Sequence, residues 1–355
     1  MHNRLAPMAR LTAVAVLAVG ALTSCGSADT EVAPEDRLAA DAPLPVAVPA
    51  GTTLVVADDA NRLKTLFALS GEQDRLTAEV TYANFSSGPL RLEAIRSGNA
   101  QLGRVGDVPP ILAHYSEADV PIVGAVRFDG TGSLIATSPE SGIKSLKDLA
   151  GKRIAINEGT AQQAIFLRNL KSVGLDIDDV EPINLALAEF ADGLRAEQIN
   201  AAVLKQPDRA RYLASTEGEG SIEVPNAPGA YPGLNYVYAS TEALSDPAQA
   251  AAIREFVIAW YRAEQWHNEN QDTWIREYLI KDQNVTPEDA KVIAEADGSA
   301  SVPGFTDEVI AIQQETIDLL QGAGAFGGKD LDARDEFDFR FADLTAESPT
   351  ETAAQ

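Results

Sequence analysis

Three short turns hold the residues best suited to chemistry, and the chemistry their types and spacing allow is the holding of anionic oxygens. Asn84-Phe85-Ser86-Ser87-Gly88-Pro89 follows the alternating run Ala78-Glu79-Val80-Thr81-Tyr82 and precedes Leu90, Leu92, Ala94 and Ile95 at near-helical spacing. Serines just before a proline are helix-start chemistry: hydroxyls cap free amides, and proline loses no amide hydrogen bond there. A helix start leaves N–H groups pointing outward with partial positive charge, so Ser86, Ser87 and Gly88 can hold anionic oxygens. Gly103-Arg104-Val105-Gly106-Asp107-Val108-Pro109-Pro110 repeats the pattern. Gly106 lets backbone approach a ligand closely, and Asp107 can cap the helix that the prolines begin. Asn157-Glu158-Gly159-Thr160-Ala161-Gln162-Gln163 is the third turn, with exposed amides and the Thr160 hydroxyl. Turn chemistry alone favours ordinary capped helices over a ligand site.

Other chemistries are poorly represented. Cys25 is the only cysteine, and beyond the first residues of the chain the histidines are His114 and His267, far apart in sequence. No Cys/His nucleophile pair and no metal site by spacing follow from these, so neither catalytic residues nor a cofactor are expected. Asp58 and Glu158 could do acid–base work as a pair, but among 53 acidic residues chance pairings are expected. A formal charge of -25 argues against nucleic acid, whose phosphates need clustered Lys and Arg.

The turns need strands and helices to hold them, and the sequence alternates the two. Thr53 to Ala57 is a buried strand, after which Asp58-Asp59 could cap a helix through Lys64 to Ala68. Pro121 to Val126 and Ser133 to Thr137 are strands around the turn Asp129 to Gly132, with the second leaving a first lobe. Arg153 to Ile156 is a strand before a helix from Ala164 to Val173, and Leu187 to Gln198 is a helix before the strand Ile199 to Leu204. Leu234 to Ala239 returns to the first lobe, where Tyr236 or Tyr238 either faces a ligand or joins the core. Phe256, Trp260, Tyr261, Trp266, Trp274 and Tyr278 recur at near-helical spacing over 247–280, a packing stripe. Further helices start at Thr286 and Thr306, and Phe337 to Phe341 closes the fold. This alternation argues for an α/β protein, and 355 residues with 45% apolar content suffice for two lobes.

The ends read differently. Arg4 and Arg10 precede the apolar run Leu11 to Leu22, a secretion signal too short to span a membrane as a stable helix. Leu22-Thr23-Ser24-Cys25 resembles a bacterial lipobox, which implies cleavage before Cys25 and diacylation of its sulfur. Gly26 to Pro49 reads as a flexible tether, and Ala346 to Gln355 as a polar tail.

The string F-x-S-G-P-x-x-x-E-A-x-x-x-G is carried by Phe85, Ser87, Gly88, Pro89, Glu93, Ala94 and Gly98. It is followed by G-D-x-P-P-I-x-A, carried by Gly106, Asp107, Pro109, Pro110, Ile111 and Ala113. Together they resemble the substrate-binding proteins of ABC importers for aliphatic sulfonates, within a larger set that serves taurine, nitrate and thiamine-precursor pyrimidines. The resemblance implies a type II-like periplasmic-binding-protein fold, α/β, with each lobe a mixed sheet flanked by helices and two hinge crossings between them. It implies a signal peptide over 1–24 and lipidated Cys25 with a tether over 25–50. Lobe one would be 51–137 plus 236–345, lobe two 138–235, and a disordered tail 346–355. Ser86, Ser87, Gly88, Gly106 and Asp107 would line one jaw, with Thr160, Ala161 and Gln162 opposite. The expected partners are a small sulfonate-like ligand, an ABC permease with its ATPase, and the membrane through the lipid, with the protein a monomer outside the cytoplasm. The same fold family includes a cysteine-dependent sulfinate-cleaving enzyme and a pyrimidine-forming protein that uses histidine with iron.

The chain departs from that pattern in three places. Relatives carry a lysine and serines where Glu158 and Thr160 stand, an aromatic or amide near Asp58, Asp59 and Asn61, and Trp-Asp-Pro where Lys205-Gln206-Pro207-Asp208 stands. A carboxylate at the jaw repels an anion unless it points away or meets a cationic group on the ligand. Against the sulfonate expectation, Glu158 would instead select an amine-bearing ligand such as taurine, or a neutral heterocycle; Asp58 and Asp59 either make an amine-bearing ligand possible or are solvated helix caps, the reading their position favours. Lys205 is either a cationic anchor or a solvated surface lysine.

Overall fold

A computed structural model describes residues 37–347. The expected leader, Cys25 and the last residues of the tail lie outside them.

Among the described residues the apolar runs form eleven strands: β1 (Thr53–Asp58), β2 (Glu79–Asn84), β3 (Leu102–Val105), β4 (Ile122–Phe128), β5 (Leu134–Thr137), β6 (Arg153–Ile156), β7 (Glu181–Asn184), β8 (Ala201–Leu204), β9 (Glu223–Val224), β10 (Leu234–Ala239) and β11 (Ala300–Ser301). They make two mixed sheets, ordered β11-β4-β10-β3-β1-β2 and β7-β6-β8-β5-β9. In the first, β1 runs parallel to β2 and β3, while β10 is antiparallel to β3 and β4. In the second, β6 is parallel to β7 and β8, and β5 is antiparallel to β8 and β9. The principal helices are α1 (Arg62–Ser70), α2 (Gly88–Arg96), α3 (Val108–Tyr115), α4 (Ala161–Ser172), α5 (Phe190–Arg195), α6 (Asp208–Ser215), α7 (Thr241–Ser245), α8 (Pro247–Glu269), α9 (Gln271–Trp274), α10 (Pro287–Asp297) and α11 (Asp307–Gly322).

Strand alternation sorts the core. On one face of the first sheet Leu54, Leu102, Val126 and Val237 pack with Phe67, Phe256 and Trp260. On the other, Val105, Ala125, Tyr236 and Tyr238 pack with Ile95, Ala113 and Phe337. Tyr236 and Tyr238 are therefore core residues. The aromatic stripe is packing too, with Phe67 stacked on Phe256 at 4.6 Å and Trp274 on Tyr278 at 4.1 Å. The helical region expected over 247–280 is interrupted at Asn270, beyond which α9 passes into a π-helix, Ile275–Asp282.

Three boundaries differ from expectation. β5 belongs to the second sheet, because Leu134 to Thr137 register against Leu204 to Ala201 of β8, which buries Ile135 and Ala136. The outward crossing is therefore 129–133 and the return is 225–233, and β10 is a central strand of the first sheet rather than a crossing. The two crossings meet where the Phe128 amide donates to the Gly233 carbonyl at 3.0 Å. Second, α11 touches both lobes: Ile317 and Leu320 cluster with Val108 and Ile111 of α3 and with Ala164 and Leu167 of α4. Third, from residue 37 the expected tether is docked. The Leu38 amide donates to the Ser245 carbonyl at 2.7 Å, and Leu44 and Val48 pack on the first core, apolar area that a free tether would leave in water. The expected tail begins inside a closing 3-10 helix, Phe339–Glu347.

Candidate ligand cleft

The helix starts read from the sequence converge on one cavity of about 370 Å³ between the two sheets. At α2, Ser87 is the N-cap and its hydroxyl accepts the Leu90 amide at 3.5 Å, while Pro89 occupies the first turn. Gly88 has no room for a side chain, since a Cβ there would stand 2.3 Å from Cγ of Pro109. At α4 the N-cap Thr160 turns its hydroxyl away, donating to the Asn157 carbonyl at 2.7 Å. The first amides of a helix have no intrahelical acceptor, so those of Ala161 and Gln162 remain free for a guest at the cavity wall.

The opposing jaws are in contact. A Cβ on Gly106 would lie 2.8 Å from Cβ of Ala161, and one on Gly159 would lie 2.3 Å from Cδ1 of Leu112. The two lobes are therefore closed on each other, and side-chain bonds cross between them. Arg168 of α4 donates to the Asp107 carboxylate at 2.8 Å, and Lys205 after β8 stands 2.5 Å from Asp59 after β1.

Of the ten residues expected at the ligand, Ser86, Ser87, Gly88, Gly106, Thr160, Ala161 and Gln162 line the cavity. Three do not. The carboxylate of Asp58 is buried and accepts the amides of Asp59 at 2.7 Å, Leu63 at 3.0 Å and Lys64 at 3.1 Å, which uses it up as the start of α1. Burial pushes its pKa up against the pull of those amides. Glu158 is exposed and off the cavity wall, where water rather than a ligand solvates its charge. Asp107 is buried but caps nothing: its carboxylate accepts from Arg168 and, at 3.3 Å, from Thr316 of α11, and Gln313 donates to its carbonyl at 2.8 Å. Asp107 thus ties a jaw to α4 and α11 instead of orienting its own helix.

Three arginines that the sequence reading passed over, Arg62, Arg91 and Arg104, supply most of the positive charge, beside Lys205, which it held open as a cationic anchor. Five cationic side chains, Arg62, Arg91, Arg104, Lys205 and Arg211, line the cavity against three acids, Asp59, Asp208 and Asp297. In a chain of net charge -25 that local excess of cations suits an anionic guest. Asp59 is spoken for: burial pushes its pKa up, but Lys205 and Arg91 outweigh this and hold it below the usual carboxylate value. Burial and the nearby Arg62 lower Arg104 to about 10, so it stays protonated at neutral pH. Its signal was present in the sequence, because Arg104 lies two positions before Gly106 and alternation puts both on one side of β3.

Two mixed α/β lobes, joined by two crossings and closed over a polar cavity, define a periplasmic-binding-protein fold. The alkanesulfonate-binding protein SsuA from Xanthomonas axonopodis pv. citri, in a structure bound to MOPS, matches it with a TM-score of 0.71 and 24% identity, covering 82% of this chain and 99% of that one. The chain belongs to the NMT1/THI5 like family, which matches residues 79–274, more than half its length. The taurine-binding periplasmic protein of Escherichia coli (strain K12) is 25% identical over 252 residues, 68% of this chain and 72% of its own. A relative from the same strain whose name describes aliphatic sulfonates binding is 29% identical over 147 residues, 41% of this chain. That match spans less than half of the relative, 45% of its length.

Proposed function

We propose that this chain is an extracytoplasmic solute-binding lipoprotein that captures a small oxyanion, first of all an aliphatic sulfonate, between its lobes and delivers it to an ABC importer permease. The observation that carries the reading is the convergence of the α2 and α4 starts on one cavity whose charged wall is mostly cationic. Amides and hydroxyls hold oxygen atoms without full neutralisation, which suits a carrier that must later release its cargo. Closure turns binding free energy into a shape that a permease can recognise. The names of the relatives, for sulfonates and for taurine, point to the same ligand class. Anchoring would come from the lipid on Cys25, since so acidic a body is repelled by anionic membrane surfaces.

The test is thermal unfolding of residues 26–355, made without lipid, against alkanesulfonates, taurine, nitrate, sulfate and hydroxymethylpyrimidine. A ligand at about a hundred times its dissociation constant stabilises the fold by roughly 2.7 kcal/mol. Stabilisation by sulfonates supports the reading, and stabilisation by the pyrimidine alone overturns it.

A further inference from the structure

The cavity does not end at the helix starts. It continues into the first lobe between β3 and the helices after α8, where Phe128, Tyr231, Tyr278 and Ile293 form largely apolar sides. Two charges of opposite sign sit on this inner wall, Arg104 from β3 and Asp297 from the end of α10.

Neither side chain has an ion-pair or hydrogen-bond partner among the described residues, and Arg104 Nε is buried without one, although its guanidinium stands 5.7 Å from the centroid of the Phe128 ring. Nearby Arg62 differs, being paired with the buried Glu264 at 3.5 Å. Charges withdrawn from bulk water cost free energy unless something pairs them, and at Asp297 burial outweighs the through-space pull of Arg62, Arg104 and Arg209 and raises the carboxyl pKa, so the fold itself leaves the charge incompletely compensated. Asp297 is also the last residue of α10, where the helix dipole disfavours a negative charge. Helix stability therefore does not explain it. What does explain both is a guest that presents an anion to one and a cation to the other.

We infer that the inner end of the cavity is a second subsite for a zwitterionic tail, Arg104 taking a carboxylate and Asp297 an ammonium. The ligand class is then a sulfonate whose far end is an amino acid. This rests on the proposed sulfonate reading and narrows it. The oxyanion sits at the starts of α2 and α4, and the tail reaches inward past Tyr231. Selectivity for an amine moves from Asp58 and Glu158, which are off the wall, to Asp297, which is on it.

The experiment is calorimetric titration of residues 26–355 with five probes: ethanesulfonate, taurine, 3-sulfopropanoate, cysteate and aspartate. Cysteate is expected to bind at least about thirtyfold more tightly than ethanesulfonate, with taurine and 3-sulfopropanoate between, as for a desolvated charge pair. Arg104→Gln should remove the advantage of the carboxylate-bearing sulfonates over ethanesulfonate, and Asp297→Asn that of the ammonium-bearing ones, with an unchanged far-UV circular dichroism spectrum as the folding control. If Arg104→Gln does not fold, Asp297→Asn and the wild-type series still decide. Cysteate binding no more tightly than ethanesulfonate would overturn the subsite and leave the sulfonate reading intact. So would Arg104→Gln weakening all sulfonates equally, because Arg104 would then hold the sulfonate itself. Aspartate binding without any sulfonate would keep the subsite and remove the sulfonate reading, and binding by none of the five would remove both.

Discussion

Lys205 Nζ stands 2.5 Å from the Asp59 carboxylate, one residue from each lobe. The pair forms only when the lobes meet, so it favours the closed state. Lys205 keeps 36% of its side-chain exposure and Asp59 27%, and solvent screens a pair of that kind to about 0.5–1 kcal/mol. Lys205→Met is therefore expected to raise the ligand dissociation constant about two- to fivefold by depopulating the closed form. Calorimetry reads this directly. A loss beyond about thirtyfold would put Lys205 on the ligand instead of on Asp59.

Gly106 tests closure by shape alone. Its φ is not in the left-handed region, so the backbone accepts a side chain, but a Cβ would meet Cβ of Ala161 at 2.8 Å. Gly106→Ala should hold the jaws apart and weaken binding about fivefold or more, because the overpacking it introduces in the closed form costs about 1–3 kcal/mol. Unchanged affinity would mean that the jaws do not meet around a ligand. Gly159 is a poorer probe, because its φ of +75° would strain any substitute even without a clash.

The helix starts were legible in the sequence because capping is local: serine, proline and glycine at Ser87, Gly88, Pro89 and Gly106 act within a turn or two. The sheets were legible for the same reason, through runs such as Thr53–Asp58 and Leu234–Ala239. Partner choice is not local. Nothing near β5 says that it pairs with β8, some seventy residues later. The jaw acids show the same limit, since whether Asp58, Asp107 or Glu158 meets a ligand depends on amides, Arg168 or water claiming it first. The arginines were passed over because a lone arginine in a strand or helix is ordinarily solvated, and only tertiary structure gathers Arg62, Arg91 and Arg104 around one cavity.

Arg168 and Asp107 hold α4, α11 and the jaw together. Their side chains are 12% and 4% exposed, and Thr316 bonds to both partners. Arg168→Met would leave the Asp107 carboxylate buried with only the Thr316 hydroxyl, an arrangement that costs about 3–5 kcal/mol. Chemical denaturation should show that loss in the single variant and recover part of it in the double variant Arg168→Met with Asp107→Leu, where no charge remains to be paired. Equal losses in the two would place the cost in packing rather than in the ion pair.

His267 sits 1% exposed beside Arg62 and Glu264, edge-on to Trp274 at 4.9 Å, and neither ring nitrogen has a hydrogen-bond partner. Burial, with Arg62 adding to it, pushes the imidazole down to about 4 from an ordinary 6.5. The folded state thus keeps a neutral ring where the unfolded chain takes a proton, so stability falls as pH drops from about 6.5 towards 4, by up to roughly 3 kcal/mol. His267→Phe preserves the ring against Trp274 and removes the proton that the unfolded chain would gain. Urea unfolding between pH 7 and 4 should then show a flatter acid limb for the variant by about that amount, with stability at pH 7 equal to or above the parent, because the two unpartnered nitrogens are gone. Parallel limbs would assign the acid sensitivity to carboxylates whose pKa falls on folding, such as Asp59, where burial raises the pKa but Lys205 and Arg91 outweigh it and hold it below the usual value.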